Sequence, residues 1–600
     1  MATPTTRRAF LAGAAGASAA ALGWRLSAPA EAADGAVFAF GVGSFDPLAD
    51  RVILWTHAAT TAAVTWQVAR DSAFNSILRS GTATGSAATD FTIHVDVDGL
   101  QPSTTYWYRF SANGAMSAVG RTRTLPAPDA AVDRLRVGVV TCAEWEFGYF
   151  GGYRVLAERD DIDFVIALGD YIYEFGTSYG GIPSPKPGGR THQPAHELEV
   201  LADYRTRHHQ YRSDAGLQKL HASHPVIAIY DDHEVCNDWW RDGAQAHDPA
   251  TEGDFHARRD AGLRAFREWV PMRPDPTDPA KAYRRFQVGN LVDLFMLDER
   301  LYRDKQPTSA VVGYISVDPA AEDPKRTILG VTQRDWLLGG VERSTAAWKV
   351  LGNPVSMMPI DVGPPLAGVL SSAAIALGGP GVPPPLLVEG WDGYNAERTR
   401  ILNFVNDEKI KDVVVLTGDY HESFATQLPF DRSTYQLNQN SAAVEFITPS
   451  ITSPGLSETL QMASLPEALT VNTEFDANNA VSNPWVKYHE GFSNGFGVAE
   501  FRPDGMQFDF WFVTDRNTPS TGARAASSWT VPRGAAVLNQ AAAPLGPRPA
   551  PSAAVTPPST TTSPLTTPAT GADQTAALAV GAAAVVALGA ARLGRKEEDD

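Results

Sequence analysis

Cysteine is nearly missing from this chain: its 600 residues contain two, Cys142 and Cys236. A disulfide framework is thereby excluded as the source of the fold, so a hydrophobic core must supply it. Basic charge is in deficit too, with 50 Lys and Arg against 68 Asp and Glu and a formal net charge of -18. The central sequence holds no Lys/Arg cluster, which excludes a basic stripe and with it a nucleic-acid-binding surface. A small phosphate ester is not excluded, because a bound cation outweighs the general field locally. Long apolar runs are lacking except at the two ends. With 44% hydrophobic and 20% charged residues, the composition is that of a soluble globular protein. The length calls for two or three folded units plus tails.

Both ends read as addresses rather than folded structure. Residues 1–33 hold Thr6-Arg7-Arg8-Ala9-Phe10-Leu11, a weakly apolar Ala/Gly run, and the small-residue cleavage candidates Ala28-Pro29-Ala30 and Ala30-Glu31-Ala32. Paired arginines before such a run predict a twin-arginine export signal. Residues 541–575 predict a Pro/Ala/Ser/Thr-rich linker. Inside it, Thr567-Pro568-Ala569-Thr570-Gly571 is similar to a cell-wall sorting signal, with Thr567 where leucine is usual. Residues 576–600 predict a hydrophobic anchor, 576–591, and a charged tail beginning with Arg592, Arg595 and Lys596. The apolar run spans about 24 Å as a helix, short of a bilayer core of about 30 Å. Cell-wall sorting and a membrane anchor therefore both stay open, and either keeps the folded part outside the cell.

Residues 36–127 predict a small β-domain. Val52-Ile53-Leu54-Trp55 and Val64-Thr65-Trp66-Gln67-Val68 are β-prone, and Ile93-His94-Val95-Asp96-Val97 alternates apolar and polar. The turn at Gly99 followed by the aromatic strand around Tyr106-Trp107-Tyr108 has the order of a fibronectin-like sandwich. From residue 134 to 535 strands alternate with helical stretches, the α/β signature. Four apolar strands there end in polar residues. Val137-Gly138-Val139-Val140 runs into Thr141-Cys142, and Phe164-Val165-Ile166-Ala167-Leu168 into Gly169-Asp170-Tyr171-Ile172-Tyr173-Glu174. Val226-Ile227-Ala228-Ile229-Tyr230 runs into Asp231-Asp232-His233-Glu234, and Val413-Val414-Val415-Leu416-Thr417 into Gly418-Asp419-Tyr420-His421. A fifth, Trp348-Lys349-Val350-Leu351, ends in Gly352-Asn353-Pro354.

In an α/β fold the carboxyl ends of strands open into one crevice, so these distant side chains are expected to converge. One carboxylate after one strand is often only a helix cap; the recurrence is what points to a site. Carboxylate, phenolate, amide and imidazole suit hard cations, and a thiolate adds affinity for iron or zinc. Paired cations bridged by a carboxylate can clamp a phosphoryl group in transfer. The glycines before Asp170 and Asp419 read as sharp turns that aim those carboxylates at the cations.

Gly169-Asp170-Tyr171-Ile172-Tyr173-Glu174, Asp231-Asp232-His233-Glu234-Val235 and Gly418-Asp419-Tyr420-His421 together resemble the motif series of the PhoD-like (alkaline phosphatase D) family of calcineurin-like metallophosphoesterases. Residues 41–47, 52–55, 391–394 and 445–453 share its flavour, and the resemblance covers nearly all of residues 36–535. It implies a metallophosphoesterase-type α/β/β/α sandwich preceded by the small fibronectin-like β-sandwich. The implied activity is hydrolysis of phosphate monoesters or diesters, with small phosphate esters or phospholipids as substrates. The resemblance further implies that Cys142, Asp170, Tyr173 and His421 hold Fe3+. Asp170 would bridge to a second site for Ca2+, shared with Asp419 and Asp232, with Asn353 as a further ligand and His233 as acid or transition-state stabiliser. A phospholipase D-like diesterase and a surface adhesion protein with a degenerate site are the alternatives.

Several residues carry competing readings. A Cys142–Cys236 disulfide rivals Cys142 as a ligand, and Asp231 rivals Asp232. Glu174 and Glu234 read as partners of ligands or helix caps. His208, His209, His221 and His224, near Arg205 and Arg207, read as surface or cap residues, with one arginine a candidate for meeting phosphate. Asp298, Arg300 and Arg303 read as an ion-pair group supporting the sheet, and residues 364–387 as a lid or a plain loop.

Overall fold

The computed structural model describes residues 37–180, 182–307, 319–361, 389–455, 475–477 and 479–548, with Glu458 and Thr473. The export signal, the sorting-like motif, the apolar run 576–591 and the segment 364–387 lie outside them. Among the described residues no helix is long and apolar enough to cross a membrane.

Strands that are apolar at every position, such as Val226–Ile229 and Phe164–Leu168, are buried along their whole length, as parallel strands covered on both faces must be. Leu135–Val140, Phe164–Leu168 and Val226–Ile229 run parallel at the centre of a ten-stranded sheet. On one side that sheet continues through the antiparallel strands Gly495–Arg502, Gly505–Val513 and Ala523–Pro532. A second sheet, of seven strands, is built around the parallel strands Val292–Met296, Trp348–Asn353, Val413–Thr417 and Ser441–Ile447.

The pleat of the second sheet sorts its side chains into two cores. Leu294, Met296, Val350, Val414, Leu416 and Phe446 join the core shared with the ten-stranded sheet. Their neighbours Phe295, Leu351, Val413, Val415 and Ile447 face the other way, since successive side chains point to opposite faces. There they meet Leu337 and Val341 of the helix Gly330–Arg343 and Ile401, Leu402 and Val405 of the helix Asn395–Asp407. The outer layer over the first sheet comes from Gly151–Ala157, Leu201–Arg212, Ala215–Ser223 and Phe255–Trp269, whose Leu156, Tyr211, Leu220 and Phe266 enter its core. The result is the expected helix–sheet–sheet–helix arrangement.

The N-terminal β-layer is less separate than its sequence suggests. Ile77–Ala83, Val64–Ala69, Thr105–Ala112, Ala115–Met116 and Gly120–Arg123 form a sheet of their own. Facing it across a core of Val52, Leu54, Val68, Tyr106, Tyr108 and Phe110 are Val42–Phe45, Val52–His57 and Thr92–Val97. Those three strands belong to the ten-stranded sheet, because Phe45 pairs with Val226. At the other end, the linker expected from residue 541 begins with an anchored stretch. Leu545 is buried, its N–H donates to Asp509 Oδ2 at 2.7 Å, and Arg548 pairs with Asp163. One large apolar side chain among prolines and alanines is enough to hold it down.

His208 and His221 are core residues rather than surface ones, whereas His224, though buried, is the C-cap of Ala215–Ser223, as its cap reading expects. His208 stacks on Trp269 at 6.1 Å, and His221 Nε2 lies 2.8 Å from the Tyr171 hydroxyl. The helices that carry them are covered by the sheet and by neighbouring helices, so their rings fill the space a leucine would take.

Arg136 shows how buried charge is paired here. It lies opposite Glu500 on the neighbouring strand, its Nε donates to Glu500 Oε2 at 2.7 Å, and its Nη1 reaches Asp161, all three buried. Removing one carboxylate from such a buried group leaves its charge only partly compensated and costs up to about 3–5 kcal/mol. Glu500→Ala should lower the denaturant midpoint by that measure, whereas Arg51→Ala, at an exposed pair with Asp50, should cost less than about 1 kcal/mol. Equal losses in the two variants would refute this account of the sheet.

Candidate metal centre

The parallel strands of both sheets deliver their following residues to one place. Cys142, Asp170, Asp419 and His421 all adopt left-handed backbone conformations, with φ of 57°, 53°, 61° and 63°. Non-glycine residues rarely occupy that region, and such strain persists where surrounding structure enforces it. The preceding glycines divide the work differently from expectation. Gly169 does take a positive φ, 90°, and a Cβ there would sit 2.4 Å from that of Asp231. Gly418 serves close approach instead: a Cβ would lie 2.5 Å from Thr141 Oγ1 and 2.8 Å from the Leu168 carbonyl. It is where the two sheets touch.

One corner is mixed in its donors. Cys142, Asp170 and His421 each place a ligand atom within 4.8 Å of the others. The Tyr173 hydroxyl donates to Asp170 Oδ2 at 3.0 Å, lies 3.1 Å from His421 Nε2, and accepts from Ser453 Oγ at 2.7 Å. His421 Nδ1 lies 2.8 Å from the Pro454 carbonyl. That oxygen can only accept, so Nδ1 carries the proton and Nε2 presents its lone pair to the corner. Burial, then the charges of neighbouring Asp170 and Cys142, holds the Tyr173 hydroxyl well above its ordinary range. Burial and Asp170 do the same to the Cys142 thiol. Cys142 and Cys236 are both free, so the disulfide reading is set aside. Cys236 belongs to the main core, whereas Cys142 packs in a small cluster with Tyr173 and Phe175.

The other corner is all oxygen. Asp170, Asp231, Asp232 and Asp419 bring one carboxylate oxygen each within 4.8 Å of one another, and Asp170 and Asp232 do the same with His233. Asp231 and Asp232 therefore both enter, and the choice between them dissolves. Burial, followed by the charges of Asp231 and Asp232, pushes the Asp419 carboxyl well above the carboxylate range. Asp170 Oδ1, Asp231 Oδ2 and Asp232 Oδ1 are buried without a hydrogen-bond partner. Buried carboxylate oxygens are ordinarily paired. Such oxygens on carboxylates that approach one another within 4.8 Å, beside a thiol, a phenol and an imidazole, fit a pair of cations.

Around these donors stand residues that aim them. Glu234 accepts the backbone N–H groups of Asp170, Tyr171 and Asp231, fixing both strand-end turns with one carboxylate. Glu174 Oε2 lies 2.7 Å from His233 Nδ1, and the His233 ring lies 4.1 Å from that of Tyr173. Burial opposes a charge on His233, yet Asp232, Glu174 and Asp170 together raise its pKa well above the ordinary value. Arg300 was the least legible member. Its Nε donates to Asp231 Oδ1, its Nη2 lies 3.5 Å from Asp232 Oδ1, and its Nη1 pairs with Glu389. The signal was present, since Arg300 follows the strand Val292–Met296 as Asp170 follows its own.

Two expected participants are engaged elsewhere. Asn353 spends its amide on the sheet: Nδ2 donates to Thr417 Oγ1 at 3.0 Å and to the Val355 carbonyl, and Oδ1 accepts from Trp391 Nε1 at 3.2 Å. With both ends committed, it ties strands rather than joining either corner. Arg207 turns inward to the carbonyls of Tyr173 and Phe175, and Arg205 pairs with Glu268, so neither is placed to meet phosphate.

Comparisons with known proteins find relatives for most of this chain. The model of the PhoD-like phosphatase family matches residues 137–510, and that of the PhoD-like phosphatase N-terminal domain matches residues 23–126. Alkaline phosphatase D of Bacillus subtilis (strain 168) is 36% identical over 436 residues, which is 70% of each chain. The solved structure of PhoD superposes with a TM-score of 0.72 at 31% identity, covering 85% of this chain and 93% of the other. With its fold and both matched regions in agreement, the chain belongs to the PhoD-like phosphatase family.

Proposed function

We propose that this protein is a metal-dependent phosphoesterase that hydrolyses small phosphate monoesters and diesters by attack of water on phosphorus. The observation that carries the reading is Asp170, a buried carboxylate common to both donor corners with one oxygen unpaired. The thiol, phenol, imidazole and carboxylate of Cys142, Tyr173, His421 and Asp170 suit Fe3+, and the carboxylates of Asp170, Asp231, Asp232 and Asp419 suit Ca2+. Cations held there supply Lewis-acid charge to the phosphoryl oxygens and lower the pKa of a water.

The chain's own contribution centres on His233. Glu174 takes its Nδ1 proton in a hydrogen bond, which fixes the ring and leaves Nε2–H free to protonate the departing alkoxide. The rings of Tyr173 and Phe175, 4.1 and 5.2 Å from the imidazole, hold its plane. Asp419 and His421 are only partly buried, so substrate enters from their side. Arg300 neutralises Asp231 and Glu389, which lets four carboxyl groups share one small volume. Export by the twin-arginine route, with anchoring at the envelope, belongs to the same proposal and rests on residues 1–33 and 576–600. Its check is cell fractionation with and without Arg7→Lys/Arg8→Lys, the latter expected to retain the protein in the cytoplasm.

His233→Asn should lower kcat on p-nitrophenyl phosphate and bis(p-nitrophenyl) phosphate by about 10²- to 10⁴-fold while leaving bound metal unchanged. Undiminished turnover would remove His233 from the chemistry. Elemental analysis should find iron and calcium, with a visible tyrosinate-to-iron band that Tyr173→Phe abolishes. A colourless protein carrying only zinc would overturn the iron assignment. Chelation of calcium should abolish turnover and leave the band in place.

A further inference from the structure

A second histidine–carboxylate cluster lies where the N-terminal strands meet the helices, sharing no residue with the centre just described. His57 ends the strand Val52–His57. Asp90 closes the single turn Ala87–Thr89 in a left-handed conformation, φ 50°. His209 sits in the last turn of Leu201–Arg212. One ligand atom from each lies within 4.8 Å of the other two.

Two features distinguish this cluster from ordinary packing. Asp90 Oδ2 already meets His209 Nε2 at 2.8 Å and the Trp269 indole N–H at 3.0 Å, so two of the three groups are aligned on one another. His57 is the third, 5% exposed, and its Nδ1 is buried without a hydrogen-bond partner. Phe40 stands edge-on to the His57 ring at 4.9 Å and Trp269 stacks on it at 5.4 Å, so the imidazole cannot swing away to find a partner elsewhere. The turn that carries Asp90 is itself clamped to the helices. Arg205 and Arg264 donate to the Ala88 carbonyl, and both guanidinium groups are paired with Glu268.

We propose that His57, Asp90 and His209 form a divalent-metal site of the zinc class that staples the N-terminal β-layer to the helical layer. Two imidazoles and one carboxylate are a donor set zinc accepts, and a water completes four-coordination where three protein ligands are present. Asp90 and His209 are partly exposed, so that fourth position opens to solvent and the ion can exchange. The three ligands come from a strand, a turn and a helix that are far apart in the chain. Binding would therefore lock tertiary structure and stabilise the folded state.

The test uses the full chain carrying its own catalytic metals, dialysed against Zn2+ and then zinc-free buffer, beside Asp90→Asn and His209→Gln. Asp90→Asn keeps the shape of the carboxylate and an acceptor for Trp269, and His209 is half-exposed, so each variant tests the site if the other folds poorly. Retained turnover of p-nitrophenyl phosphate reports the fold and the intact catalytic centre. Wild type should hold one zinc per chain more than either variant, with equal iron and calcium in all three, and zinc should raise the Tm of wild type alone. Even loss of a group that only supports a ligand weakens metal affinity about 10- to 100-fold, so loss of a ligand should remove the extra equivalent. Equal zinc in wild type and variants, or a wild-type Tm indifferent to zinc, would overturn the proposal.

Discussion

Negative charge packed into a largely buried space is the constraint from which the rest of this structure follows. Asp170, Asp231, Asp232 and Asp419 share a space a few ångströms across, together with a buried thiol and a buried phenol. Burial first, and then the neighbouring carboxylates, push the Asp231 and Asp419 carboxyls above the ordinary range. Arg300 answers part of the charge by pairing with Asp231 and Glu389. Asp170 Oδ1 and Asp231 Oδ2 are the part the protein leaves unanswered. A fold that meant to be stable without cations would have paired them.

Holding these groups together takes two kinds of force. The sheets supply position, because parallel strands end at one level and their following residues cannot avoid each other. The loops supply aim, through left-handed backbones at Cys142, Asp170, Asp419 and His421 and through Glu234, whose carboxylate bonds to backbone groups of two different loops. Glycine at 418 then lets the loops close to the distance the donors need. The site is thus a property of the contact between the two sheets, not of either alone.

Much of this could be read from the chain itself, and the reason is local. An apolar run followed by Asp, Cys or His is a pattern within a few residues, and topology turns each copy into a neighbour of the others. The layered α/β order was legible for the same reason. What resisted reading depended on pairings across long stretches of sequence. Nothing near Asn353 announces that Trp391 and Thr417 will use up its amide. His208 and His221 look polar in sequence and are core in space, because burial depends on what covers a helix. Arg300 reads as an ion-pairing residue, but its partner Asp231 lies 69 residues away, and only the fold makes it a neighbour of the donors. The merging of the N-terminal strands into the main sheet was hidden likewise, since it hangs on Phe45 meeting Val226.

That last pairing bears on how the molecule can be divided. Where Phe45 meets Val226 the first region lends its strands to the second, so a boundary drawn near residue 130 runs through a hydrogen-bonded ladder. A fragment begun there would uncover the edge of the sheet at Val226, a place where another chain could join. The two matched regions are adjacent words in the sequence, but physically they make a single object that cannot be cut without leaving an adhesive face.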